Sequence, residues 1–145
     1  MKRVSRLVVL FAVFAIPLAA GDVSPDDRKG IETAIGYYFE GHAKGSGDAM
    51  RKAFAPEAQL FWIADSALKT RTSEDFAAAF KGNVAQDEAQ RKRTIELIDV
   101  AGDVAIAKVV LDYPAVKFTD YMSLAKVGGE WKIVNKTYFA DRKKP

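Results

Sequence analysis

Ile31, Ile35, Tyr38 and His42 recur at i, i+4, i+7 and i+11, the spacing of one face of an α-helix. Ser24 can cap its start, Pro25 fits the first helical position, and Asp27 answers both the cap and the helix dipole. His42 falls near the end of this helix, before "GSGD" breaks it. Asp48 can cap a short second helix, "AMRKAFA", stopped by Pro56. "AQLFWI", rich in aromatic and branched residues, reads as a strand, with "ALKTR" its return partner across Asp65 and Ser66. Thr72 and Asp75 open a third helix, "EDFAAAF". Beyond it the period falls to two. "RTIELIDV" turns at Ala101-Gly102-Asp103 into "VAIAKVVLDY", Pro114 interrupts, and "VKFTDYMSLAKV" runs through Gly128-Gly129 into "EWKIVNKTYFA".

Three helices followed by an antiparallel meander predict an α+β domain. A single sheet has one apolar face to cover, so it must curl around the long helix. The expected shape is a cone: N-terminal helices packed on a curved antiparallel β-sheet.

The first residues do not share this patterning. Lys2, Arg3 and Arg6 precede "LVVLFAVFAIPLAA", which ends in small residues before Gly21. That run is shorter than the ~20 residues a membrane span needs and has the layout of a secretory signal. Residues 1–21 are therefore expected to be a signal peptide and 22–145 a single domain, periplasmic or secreted, with no stable membrane span after cleavage. The formal charge of +3 comes from this segment: three of the 22 basic residues and none of the 19 acidic ones lie in it, leaving 19 against 19. Without a basic excess, nucleic-acid binding loses its electrostatic motive. The absence of cysteine removes disulfides, thiol catalysis and Cys-based metal sites, and a single histidine excludes a His-rich zinc site. "GGE" lies in a hairpin rather than at a strand-to-helix turn, so no dinucleotide site and no cofactor are expected.

If the Gly128-Gly129 hairpin closes on a two-residue turn, Lys126 faces Trp131, Leu124 faces Ile133, Met122 faces Asn135 and Asp120 faces Thr137. Alternation then puts Phe118, Asp120, Met122, Leu124, Trp131, Ile133, Asn135, Thr137 and Phe139 on the concave face. Trp131, Ile133 and Leu124 would seal a dry end, with Asp120, Asn135 and Thr137 gathered near the mouth. Tyr121, Lys132, Lys136 and Tyr138 fall on the outer face, where tyrosines flanked by lysines suit a homodimer interface.

"GDAMRKAFAPEAQLFWI" and "FTDYMSLAKVGGEWKIVNKTYF" resemble the nuclear transport factor 2-like superfamily, in the branch described as putative lumazine-binding, near the SnoaL-like cyclases and ketosteroid isomerases. The resemblance covers about residues 26–140 and implies the cone fold. It also implies dimerisation through the outer sheet face. In register with the isomerases, "TDYMSL" places Asp120 at the carboxylic acid of their oxyanion hole. Their tyrosine corresponds to Tyr37 or Tyr38. Their general base does not carry over, because Trp62 stands at its position and an indole cannot shuttle a proton.

His42 is the one side chain whose ordinary pKa lies near neutrality. It can act as a base or donor, or simply bond the last carbonyls of its helix. The favoured reading is a domain that binds a small, mostly apolar molecule without transforming it. Tyr38, His42, Trp62, Phe118 and Met122 would line the pocket, and Asp120, Asn135 and Thr137 would fix a polar group. The alternative is a cyclase, isomerase or dehydratase with His42 or Asp120 as acid or base; a third is a protein-interaction module.

Overall fold

A computed structural model describes residues 23–144. The signal peptide expected at 1–21 lies outside the described residues. Helix α1 spans Pro25–Lys44; its cap is Ser24, whose hydroxyl accepts from the Asp27 amide, and Gly45 ends it in the left-handed conformation (φ 64°). A side chain at Gly45 would also meet the Asn83 backbone at 2.4 Å, so the chain reversal needs glycine twice over. Helix α2, Gly47–Ala53, is capped by Ser46 rather than Asp48. Strands β1 (Phe54–Ala64) and β2 (Ala67–Thr72) turn at Asp65 and Ser66, both at positive φ, as a two-residue hairpin requires. Helix α3 is Ser73–Ala78, capped by Thr72. Strands β3 (Lys92–Ala101), β4 (Val104–Asp112), β5 (Val116–Val127) and β6 (Glu130–Arg142) follow as the expected meander. No helix among the described residues is long and apolar enough to cross a membrane.

All six strands form one sheet in the order β2-β1-β6-β5-β4-β3. The sheet is mixed rather than wholly antiparallel, because β1 pairs parallel to β6. Pro56 lies in the stretch of β1 between Phe54 and Gln59 where the register shifts, a place where its missing N–H costs nothing. The apolar stripe of α1 (Ile31, Ala34, Ile35, Tyr38) packs with Met50, Leu60, Val109, Leu111, Met122, Leu124 and Ile133 into one core. At Gly30 an added Cβ would stand 2.5 Å from Cδ1 of Trp131, so glycine lets the indole lie flat against α1.

One irregularity decides what the concave face carries. Strand β6 pairs with β5 as expected at Lys126–Trp131 and Leu124–Ile133, but Ser123 then pairs with Asn135, leaving Val134 as an extra residue. A bulge reverses the facing of everything beyond it. Lys136 and Tyr138 therefore point inward, opposite Met122 and Asp120, while Asn135, Thr137 and Phe139 point outward. This corrects the expected facing of Asn135 and Thr137, and it removes Lys136 and Tyr138 from the outer face. Of the four residues expected there, Tyr121 is exposed on it, and Lys132 reaches back to the Lys52 carbonyl at 3.0 Å.

Candidate functional site

The inward turn of β6 completes a buried polar cluster drawn from three elements. Tyr38 on α1 donates its hydroxyl proton to Oδ2 of Asp120 on β5 at 2.6 Å. Lys136 on β6 donates from Nζ to the Tyr38 hydroxyl at 3.0 Å and to Oδ1 of Asp120 at 3.4 Å. Asp120 and Tyr38 are fully buried and Lys136 is 4% exposed. Charges this deep persist only when paired and hydrogen-bonded. Both carboxylate oxygens of Asp120 are occupied as acceptors. The isomerase resemblance implied a carboxylic acid that donates outward; here it holds a lysine and a phenol.

Electrostatics fix the protonation of the neighbours. Burial raises the Tyr38 phenol well above its ordinary pKa, and the Asp120 charge adds to this, so Tyr38 remains a donor. Burial lowers the Lys136 ammonium, opposed by the Asp120 carboxylate. Around Lys136 stands a belt of rings, with Nζ 4.3 Å from the centroid of Tyr138, 5.2 Å from Tyr38 and 5.3 Å from Phe76.

His42 belongs to this belt. Its ring meets Tyr38 edge-on at 4.7 Å and Phe80 at 5.2 Å, with Phe76 and Tyr113 at 6.1 and 6.3 Å. Burial drives its pKa well below 6.5, assisted by the positive charges of Lys136, Arg93 and Arg91, so the imidazole is neutral. Its Nε2 is buried and has no hydrogen-bonding partner among the described residues. The belt continues through Tyr113, Phe118, Tyr138 and Trp62. Trp62 stacks on Tyr138 at 5.8 Å, and Phe118 lies 6.0 Å from Tyr113 and 6.3 Å from Tyr138. Arg93 makes a two-bond bridge to Glu88 (2.6 and 2.8 Å) and donates to the Tyr113 hydroxyl at 3.1 Å. On the outward side of the sheet, away from this belt, a crevice of about 420 Å³ is lined by Ile63, Tyr121, Thr137 and Phe139, with Trp62, Tyr138 and Ala140 beside them.

The structure thus brings together Tyr38, His42, Asp120, Phe118 and Trp62 from the expected set. Met122 is core, and Asn135 and Thr137 lie on the far side of the sheet. Sequence reasoning missed Lys136, Tyr138, Arg93 and Tyr113. A signal for Lys136 was present: a buried Asp120 requires a cation, and a one-residue slip in β6 supplies one.

Helices laid on the concave side of a curled, mixed six-stranded sheet define the nuclear transport factor 2-like class. Within it, the chain belongs to the family described as putative lumazine-binding, matched over residues 26–139. Two solved structures support the fold. A nuclear transport factor 2-like protein of unknown function from Shewanella baltica is 26% identical with a TM-score of 0.75, covering 83% of this chain and 98% of its own. A second, from Methylobacillus flagellatus, is 28% identical with a TM-score of 0.71, covering 83% and 96%. Among curated proteins, the aldolase FrzH of a Cladobotryum species is 23% identical over 103 residues, 70% of this chain and 81% of that one.

Proposed function

We propose that the domain binds a small, largely apolar molecule within the ring belt, and that one polar group of the ligand bonds Nε2 of His42. The observation that carries this reading is the buried, neutral, partnerless Nε2 in an otherwise aromatic wall. Such atoms are rare in folded proteins because an unmade bond there costs about 1–3 kcal/mol. Trp62, Phe118 and Tyr138 supply the apolar walls, and the Lys136–Tyr38–Asp120 cluster forms a polar floor. Native mass spectrometry of the purified protein is expected to reveal a bound small molecule that His42→Leu no longer retains while staying folded. An empty wild-type protein whose stability does not change on His42→Leu would count against it.

A second reading, an enzyme, is supported by the similarity to an aldolase and by the acid–base groups of the belt. Asp120 is enclosed, so His42 is the acid or base in that case. Export is part of the proposal, and N-terminal sequencing of the protein from its native cell is expected to begin near Asp22. So is a homodimer through the outer sheet face. That face is now Ile63, Phe139, Tyr121, Ile106 and Leu97, on successive strands and each about half exposed or more. Tyr121→Asp with Phe139→Asp should give monomers in sedimentation; an unchanged sedimentation coefficient would exclude that surface.

A further inference from the structure

Between α3 and β3 the chain runs from Lys81 to Gln90 without a single buried residue, and apart from one 3-10 turn at Glu88–Gln90 it belongs to no helix or strand. From Asn83 onward its backbone bonds are local: Glu88 donates to the Ala85 carbonyl at 3.1 Å and Gln90 to that of Asp87 at 2.9 Å. A stretch with no buried side chain and self-contained bonds opens at low cost.

Its two ends nevertheless lie against rings that meet His42. The chain leaves the body at Phe80, whose ring stands edge-on to the imidazole at 5.2 Å. It returns at Arg91, whose guanidinium lies 4.2 Å over the ring of Tyr113, itself 6.3 Å from the imidazole. The near end is anchored by backbone: Gly82 donates to the Gly45 carbonyl at 2.7 Å, and Lys81 makes an isolated β-bridge to Ser46. The far end is anchored by charge. Arg91 donates to Asp87 at 2.8 Å, a pair internal to the turn, whereas Arg93 of β3 donates to both carboxylate oxygens of Glu88 and so ties the segment to the sheet. The Arg93 and Glu88 side chains are 10% and 24% exposed, so salt weakens this pair less than an open surface pair.

We propose that Lys81–Gln90 is a strap across the approach to His42, closed by the Arg93–Glu88 clasp, and that its release admits a small molecule to Nε2. This rests on His42 being the group that a ligand bonds. A buried atom without a partner needs some part of the structure to move before a ligand can meet it, and this is the segment beside His42 that buries nothing. Release breaks one ion pair and one cation–ring contact. The hydrophobic core is untouched, because no residue of the strap belongs to it.

His42 is the only histidine of the chain, so its reaction with diethyl pyrocarbonate reads the strap independently of any ligand. An unprotonated imidazole nitrogen attacks a carbonyl carbon of the reagent, the N–C bond forms and ethyl carbonate leaves; peptide mapping locates the product. Wild type is compared with Glu88→Ala, which opens the clasp, and with Glu96→Ala, which removes a different ion pair of the same strand, that to Lys108. Expected are a wild-type rate at least ~tenfold below that of the urea-unfolded chain, a rise of about tenfold in Glu88→Ala, and no change in Glu96→Ala. Glu88→Gln, which keeps the shape and loses the charge, should show a smaller rise, and it carries the test if Glu88→Ala does not fold. A wild-type rate equal to that of the unfolded chain would overturn the strap, as would folded Glu88 variants that react no faster than wild type. So would an equal rise in Glu96→Ala, which would mean general loosening. Native mass spectrometry tests the bound molecule and this reaction tests the strap, so either can fail alone.

Discussion

The two halves of the β5–β6 hairpin are buried to the same degree and built from opposite chemistry. Before Val134 the concave face carries Leu124, Trp131 and Ile133, each no more than 5% exposed; after it the same face carries Asp120 and Lys136, equally hidden. The first half is held by volume and shape, and it yields gradually as contacts are removed. The second is held by three polar contacts of 2.6, 3.0 and 3.4 Å, and it fails as a unit because losing either Asp120 or Lys136 strands the charge of the other. Burial alone therefore says little about what a position tolerates.

The sharpest break of this comparison is Asp120→Ala. It leaves the Lys136 ammonium buried without its counter-ion and should cost about 3–5 kcal/mol in urea unfolding. Replacing both partners, Asp120→Leu with Lys136→Met, should recover most of that loss; a double variant as weak as the single one would show that the pair is not the unit. At the dry end, Gly30→Ala drives a methyl against the Trp131 indole and should cost about 1–3 kcal/mol by the same measurement.

His42 gives a pH signature of the polar end. Its folded pKa is depressed below 6.5, so as pH falls through 6.5 the unfolded chain takes up a proton that the folded chain refuses. Stability should drop by about 1.4 kcal/mol per pH unit below that point, until the folded pKa is reached. Stability curves from pH 7 to 5 should lose this slope in His42→Leu. The smallest effect belongs to the dry end. Asp27, bonded by Lys126, Ser24 and the Trp131 indole, has its pKa lowered from 3.8 to about 2. A depressed carboxylate contributes stability above 3.8 that disappears as pH falls toward 2, so Asp27→Asn should flatten acid unfolding in that window.

Much of this architecture was legible in the chain. Ser24-Pro25, Thr72 and the Gly128-Gly129 turn declare their roles locally, because caps and tight turns are set by residues a few positions apart. Tyr38 and Asp120 were found because the apolar stripe of α1 and the apolar face of β5 carry polar groups where burial is expected. The bulge was not legible. Val134 is the residue type a regular strand prefers, and counting by two carries past it without a mark. What makes the slip favourable is tertiary: it brings Lys136 to Asp120 and sends Asn135 and Thr137 to water. The parallel pairing of β1 with β6 was missed for a related reason. Turn residues reveal which strands are neighbours along the chain, and between these two lie four other strands.

That pairing has a bearing on how the protein is made. The last of these six strands to be made occupies an interior place in the sheet, between the first strand and the fifth. The β1–β2 hairpin and the β3–β5 meander can each form during synthesis, yet no strand pairs with both until Glu130–Arg142 emerges and is inserted between them. A chain cut short before Glu130 would leave two half-sheets with bare facing edges, each open to pairing with another chain.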